Sequence, residues 1–134
     1  MVLIINSCEL NDSNNSLVQL YVNNFESINK NEFGVYLVIP SNSCVYCIKE
    51  INDLLKSDEL EKNIIVISDI KKLKTKRDLI IDEKQGRITQ YNPFVNSPYV
   101  FCLNSSGVID VVEVTNRNVN KLQLIIDELY DKNK

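Results

Sequence analysis

Residues 35–55 read VYLVIPSNSCVYCIKEINDLL and give the clearest indication of how the chain folds. It holds a continuous apolar run at 35–39, a polar loop, a Cys-x-x-Cys pair, and a segment with helical apolar spacing at 48–55. An apolar run of strand length is expected in a strand that is covered on both faces of a sheet. Cys44 and Cys47 therefore lie at a strand-to-helix junction, where they can form a disulfide with each other and release it again. Cys44 would lie at the helix N-terminus, where unpaired backbone N–H groups and the helix dipole favour a thiolate.

The composition is that of one globular domain. The chain has 134 residues, of which 44% are hydrophobic and 25% charged, and its net charge is −3. This charge argues against nucleic-acid binding, which needs a concentrated basic face. The chain has no histidine, so histidine-based catalysis and histidine-ligated metal sites are excluded. No segment reaches the length of about 20 apolar residues that is needed to span a bilayer.

Apolar periodicity and turn residues predict the other elements. The predicted order is a linker at 9–16, a helix at 17–30, a strand at 35–39, a helix at 44–56, a strand at 64–67, a short helix capped by Asp69 and ending at Lys74, strands at 99–103 and 108–114 joined by a four-residue loop, and a helix at 117–130. Periodicity does not assign residues 78–96, where 79–81 fits either a short strand or the end of a helix. The order predicts an α/β fold in which helices flank a central mixed β-sheet.

This order of elements resembles the thioredoxin-like fold over about residues 16–131. The resemblance rests on the Cys44–Cys47 pair at its strand-to-helix junction and on Pro98 at the start of the fourth strand. Family members hold this proline in cis, facing the cysteines. The resemblance therefore implies a cis Ser97–Pro98 bond, a conformation found in only about 5–6% of such bonds in folded proteins.

The pattern Cys44-x-x-Cys47-x-x-Glu50 is similar to that of the TlpA-like branch, which comprises membrane-tethered thiol–disulfide oxidoreductases of the bacterial cell envelope. In that branch the glutamate lies near the active site, and residues three apart share a helix face. Glu50 is therefore a possible modulator of the cysteine pair. The alternative is that Glu50 faces solvent beside Lys49.

The chain departs from the family pattern at three places. Ser43 replaces the tryptophan that commonly precedes the first cysteine, and Val45-Tyr46 replaces Gly-Pro or Pro-Pro. Val38 replaces the buried aspartate of thioredoxin, which removes one proton acceptor for the second thiol.

The resemblance implies a thiol–disulfide oxidoreductase that uses no cofactor and no metal. Cys44 would attack a substrate disulfide and Cys47 would resolve the mixed disulfide. Ser97, Pro98 and Val45-Tyr46 would border the substrate groove. The expected partners are a protein thiol or disulfide substrate and a redox partner protein, and no nucleic acid. The alternative is a non-catalytic thioredoxin-like binding module with a static disulfide.

The remaining cysteines have competing interpretations. Cys102 lies in an apolar strand, where a buried unpaired thiol is a common packing residue. A four-cysteine zinc site would require Cys8, Cys102 and the close pair to meet in space. Cys8 follows an apolar run at 2–5, as in the tail of a bacterial lipoprotein signal, but it also fits a short N-terminal strand.

The lipoprotein interpretation divides the chain into two parts. Residues 1–15 would be a tether or signal remnant that is lipidated on Cys8 and can anchor the protein to a membrane, and residues 16–134 would be the thioredoxin-like domain. This predicts a location in the bacterial cell envelope or periplasm, where a reversible disulfide is favoured, and a cytoplasmic location stays open.

A basic run at 71–77 has two interpretations, a docking surface for a partner or a solvated loop or helix face.

Overall fold

A computed structural model describes the backbone of residues 2–57, 60 and 62–133, and the side chains of these residues from Ser13 onward. The helices are α1 (Val2–Asn23), α2 (Val45–Lys56), α3 (Arg87–Gln90) and α4 (Leu122–Asn133), the last preceded by a 3-10 turn at Val119–Lys121. The strands are β1 (Gly34–Ile39), β2 (Ile65–Ser68), β3 (Asp78–Ile81), β4 (Tyr99–Asn104) and β5 (Gly107–Glu113). They form one sheet in the order β3-β2-β1-β4-β5. The predicted α/β class, with helices around a mixed sheet, is confirmed.

β1 is the central strand, and its side chains alternate between two apolar layers. Leu37 and Ile39 face α2 and α4, whereas Tyr36 and Val38 face α1 and α3. All four side chains are buried. The continuous apolar run thus has the cover on both faces that the sequence predicts.

The sheet topology brings four loops to one edge. β1, β2 and β3 are parallel, so their carboxyl ends lie together, and β4 begins at the same edge because it runs antiparallel to β1. Val38 pairs with Tyr99. The same register, continued by one residue, puts Pro98 beside Ile39. At Ile39 the chain leaves β1 for residues 40–44, which we call the cysteine loop.

The structure corrects the prediction for the N-terminal segment. The predicted linker at 9–16 is part of α1, and α1 ends at Asn23 rather than at residue 30. Phe25 and Ile28, which the sequence places on the helix face, are buried in the turns that follow. A helix that is already nucleated by a packed segment extends into neighbouring residues at little cost, even where Asn and Ser are poor helix formers.

The segment after β2 is also corrected. Asp69 does not cap a helix, and residues 70–77 form turns and loop. The Asp69 carboxylate instead accepts hydrogen bonds from the backbone N–H and the hydroxyl of Ser41, at 2.7 and 3.1 Å. The ambiguous stretch at 79–81 belongs to β3, the edge strand, which pairs in parallel with β2.

The predicted hairpin of β4 and β5 is present with a tighter turn than expected, since only Ser105 and Ser106 lie between the strands. Gly107 closes the turn at φ +117°, a conformation that other residues rarely adopt. A Cβ at this position would lie 2.6 Å from Oε1 of Gln19 in α1. The glycine thus lets the helix approach the hairpin closely.

Candidate functional site

The two cysteines of the Cys-x-x-Cys pair form a disulfide and differ in exposure. Their Cα atoms are 5.3 Å apart, within the usual range for disulfides. Cys44 is the N-cap residue of α2, and its Sγ accepts a hydrogen bond from the backbone N–H of Cys47 at 3.1 Å. Cys44 is exposed, whereas only 2% of Cys47 is exposed. An attacking reagent can therefore reach one sulfur far more easily than the other.

The cysteine loop is held by the loops on either side of it. Ser41 is bound to Asp69 after β2, as described above, and Nδ2 of Asn42 donates to Oδ1 of Asn96 before β4 at 3.0 Å. The first contact joins residues that are 28 positions apart in the chain, and the second joins residues that are 54 positions apart. Sequence reasoning missed them, because polar loop residues carry no signal of which distant loop they will meet.

The Ser97–Pro98 bond is trans, so the predicted cis bond is wrong. A turn at residues 94–97 leads into β4: Ser97 N–H donates to the Phe94 carbonyl at 3.0 Å, and beyond the turn the Pro98 carbonyl accepts from Val114 N–H at 2.8 Å. Pro98 is buried at the edge that carries the cysteine loop. The Ser97 hydroxyl donates to Oε2 of Glu113 at 2.7 Å, a pairing that the sequence does not indicate.

Large apolar side chains are exposed at this edge. The exposed fractions are 84% for Val45, 52% for Tyr46 and 81% for Val95. Val45 and Tyr46 lie between the two cysteines, and Val95 adjoins Asn96, which is bonded to the cysteine loop. Single exposed apolar residues are common on protein surfaces, but three at one reactive edge offer a contact for an apolar segment of a substrate.

Glu50 is half-buried and lies on the flank of α2 that faces the start of α4. It lines a groove of about 330 Å³ whose opposite wall includes Val119, Asn120 and Gln123. Its spacing from Cys47 keeps it near the pair along the helix. A modulating role of Glu50 stays a prediction.

Two positions where the chain departs from the family pattern are buried. Val38 is fully buried in the apolar layer beneath α1, so no acid lies at that place. Ser43 is 6% exposed, and its hydroxyl has no hydrogen-bond partner among the described residues. A buried polar group is thus left unpaired directly before the exposed cysteine.

Of the two other cysteines, only Cys102 has a described side chain, and it does not join the pair. Cys102 is free and fully buried, as a packing residue should be, and burial together with the charge of Asp110 raises the pKa of its thiol to about 11. Cys8 lies within α1, but its side chain is outside the described residues, so its lipidation stays a prediction.

Among the side chains that are described, no group of acidic residues and cysteines could hold a metal ion. The described helices include none with the length and apolarity to cross a membrane.

Comparison with known proteins found no family model, no curated protein and no solved structure that matches this chain. Its function must therefore be inferred from the site itself.

Proposed function

We propose that this protein is a thiol–disulfide oxidoreductase. The observation that carries the proposal is the asymmetry of the Cys44–Cys47 pair: an exposed cysteine caps a helix, and its partner is buried one turn into that helix. A thiolate at the cap would keep the hydrogen bond from the backbone N–H of Cys47 and would gain from the helix dipole. A nucleophile therefore forms without a histidine.

The reaction follows from this arrangement. The Cys44 thiolate attacks one sulfur of a substrate disulfide, forms a mixed disulfide and releases the other substrate sulfur as a thiolate. Cys47 then loses its proton to solvent and attacks Sγ of Cys44, so that the second substrate thiolate leaves and the Cys44–Cys47 disulfide forms. The substrate gains the two electrons that the pair loses. A redox partner with a dithiol returns the pair to its reduced form by the same exchange in reverse.

The substrate groove would be bordered by Val45, Tyr46, Ser97 and Pro98. The first two are exposed beside the disulfide, and the last two lie on the neighbouring loop that Asn96 connects to the cysteine loop. Apolar contact with Val45 and Tyr46 would hold the residues that flank a substrate cysteine.

We further propose that the fold is thioredoxin-like and closest to the TlpA-like type. The sheet order, the helices on both faces and the dithiol after the central strand support this. The trans Ser97–Pro98 bond departs from the family pattern, and the proposed exchange does not depend on it.

A location in the bacterial cell envelope, with a lipid anchor on Cys8, remains a proposal that rests on the apolar run before that cysteine. Incorporation of a radiolabelled fatty acid by the wild type but not by Cys8→Ser, with recovery in the membrane fraction, would support it. Recovery of unlabelled wild type in the cytosol would contradict it.

Mixed-disulfide trapping tests the proposed exchange. Cys47→Ser should accumulate disulfide-linked adducts with substrate proteins, because the attacking thiol is kept and the resolving thiol is lost. Cys44→Ser should form none, and in the reduced wild type Cys44 should be alkylated faster than Cys47 near neutral pH. Cys102→Ser is the matched control, since it removes a buried thiol and should reduce a protein disulfide as fast as the wild type.

The opposite pattern would reject the catalytic assignment. If Cys47 is the faster thiol, or if neither variant changes disulfide exchange, the protein is a binding module in which the disulfide is static.

A further inference from the structure

A second groove runs along the flank of α2 that starts at the exposed cysteine. Cys44, Ile48, Asn52 and Lys56 are four residues apart and so lie along one side of the helix. The last three line a groove of about 170 Å³. The backbone N–H of Ile48 donates to the Cys44 carbonyl at 3.0 Å, which places the near end of the groove one helical turn from the disulfide. From Cys44 to Lys56 the helix rises by about 18 Å.

The opposite wall of the groove is the start of the basic run. It is formed by Ile70, Lys72, Leu73 and Lys74. Two contacts fix this wall next to the cysteine loop: Asp69 is bound to Ser41, and the hydroxyl of Ser68 accepts from Ile70 N–H at 3.0 Å. The backbone that leads into Lys72 and Lys74 is therefore held beside the loop that carries Cys44.

The lysines give the groove a positive charge, and no described carboxylate forms an ion pair with them. Lys56, Lys72 and Lys74 are exposed and form no ion pair with any residue that the structure describes. Glu50 and Asp53, acidic residues of α2, line the other groove, on the opposite flank of the helix. The two flanks of α2 thus carry opposite charge, in a protein whose net charge is −3.

We infer that this groove binds an acidic segment of the disulfide substrate while the substrate cysteine reacts with Cys44. The inference rests on the proposed function and names its substrate class: a polypeptide with Asp or Glu within about five residues of its reactive cysteine. Five extended residues span roughly the 18 Å from Cys44 to Lys56. A nucleic acid fits less well, because the groove is short and the rest of the protein repels a long polyanion.

Exchange rates with matched peptides test the inference. Each of three peptides would carry one cysteine, activated as a mixed disulfide with 2-nitro-5-thiobenzoate. The residues at the third to fifth positions from this cysteine would be Glu in the first peptide, Gln in the second and Lys in the third. At low ionic strength the reduced protein should react about five- to tenfold faster with the Glu peptide than with the Gln peptide, and slowest with the Lys peptide. At about 0.5 M salt the three rates should converge.

Charge variants locate the effect. Lys72→Gln with Lys74→Gln should abolish the preference for the Glu peptide over the Gln peptide. Lys30→Gln with Lys121→Gln, which removes the same charge from exposed positions outside the groove, should keep the preference. Equal preference in the two double variants would overturn the inference, since the effect would then come from net charge alone.

A binding experiment with peptides that cannot exchange disulfides distinguishes failure of this inference from failure of the proposed function. The same peptides with Ser in place of Cys would be measured for binding by fluorescence anisotropy. Equal exchange rates and equal binding for Glu and Gln peptides would reject the groove and leave the exchange activity standing. Charge-ordered binding that depends on Lys72 and Lys74, without any exchange, would support the groove and reject the oxidoreductase. Tighter binding of a dT oligonucleotide than of the Glu peptide would overturn the inference in favour of nucleic acid.

Discussion

Two buried serines, at the edge of the sheet that carries the cysteine loop, differ in what their hydroxyls contact. The hydroxyl of Ser68 donates to the Ile39 carbonyl at 2.7 Å and accepts from Ile70 N–H. The hydroxyl of Ser43 has no partner in the described part of the chain. A hydroxyl that loses water without gaining a partner opposes folding, whereas a paired one supports it.

The two serines should therefore respond oppositely to loss of the hydroxyl. Ser68→Ala should lower the free energy of unfolding by about 1–3 kcal/mol, because the buried Ile39 carbonyl and the partly buried Ile70 N–H lose their partner. Ser43→Ala should leave it unchanged or raise it by up to about 1 kcal/mol. Urea unfolding of the oxidised proteins gives both values. A loss at Ser43 as large as that at Ser68 would show that the Ser43 hydroxyl is hydrogen-bonded in solution.

An ion pair between the buried Asp82 and the partly buried Arg87 connects the elements α1, β3 and α3. Asp82 follows β3 and is bound by Arg87 of α3 at 2.7 Å and by the Tyr21 hydroxyl of α1, also at 2.7 Å. Arg87 also donates to the Asn24 carbonyl at 2.8 Å and lies over the Phe25 ring. Burial alone would raise the pKa of Asp82, but hydrogen bonds from Arg87 and Tyr21 and the charge of Arg87 outweigh it, so this pKa is lowered.

Removal of the Asp82 charge should loosen all three elements. Asp82→Asn should cost about 3 kcal/mol in the free energy of unfolding, because it leaves the largely buried Arg87 without its counterion. Its lowered folded-state pKa means that the stability Asp82 contributes is present above the unfolded-state value of about 3.9 and is lost as the pH falls through the folded-state value. Urea unfolding between pH 2 and 7 should show a smaller loss on acidification in the variant. Parallel curves for the two proteins would contradict this account.

The segment that contains this pair is also the one that sequence reasoning could not assign. β3 has four residues, α3 is a single turn, and neither is long enough to show a period. Both are fixed by tertiary contacts, such as the bond from Tyr21 to Asp82 across 61 positions. The central strand and α2, in contrast, have runs long enough for their apolar pattern to predict type, burial and approximate bounds.

At the scale of the whole molecule, the disulfide should contribute little to stability. It closes a loop of only four residues, which restricts the unfolded chain by about 2 kcal/mol in the chain-entropy account. Neither cysteine of the pair belongs to an apolar layer of the sheet. Reduction of Cys44–Cys47 should therefore leave the fold intact and lower Tm by no more than about 7 °C. Calorimetry with and without dithiothreitol measures this, and the Cys44→Ser, Cys47→Ser double variant should match the reduced protein. Unfolding on reduction would make the disulfide structural rather than reactive.

The candidate site was predictable from the sequence only in part. The strand-to-helix position of the dithiol, the accessibility of Cys44 and the burial of Cys47 follow from local pattern. The loops that hold the cysteine loop, the pairing of Ser97 with Glu113 and the lysine groove depend on which loops the topology assembles. The cis Ser97–Pro98 bond was predicted from the family resemblance alone, and this peptide bond is trans in the structure.

The contacts of α1 have a consequence for how the chain is made. α1 precedes every strand in the sequence. Even so, Gln19 accepts a hydrogen bond at 2.7 Å from Val108 N–H, 89 positions later, and the Tyr21 hydroxyl donates to Asp82, 61 positions later. On the ribosome, the helix is therefore synthesised long before the hairpin that it packs against. Until then Val18, fully buried in the folded protein, lacks the hairpin side chains that belong to its apolar cluster. The nascent chain thus presents this apolar helix face while 89 further residues are added, and exposed apolar surface of this kind is what chaperones bind.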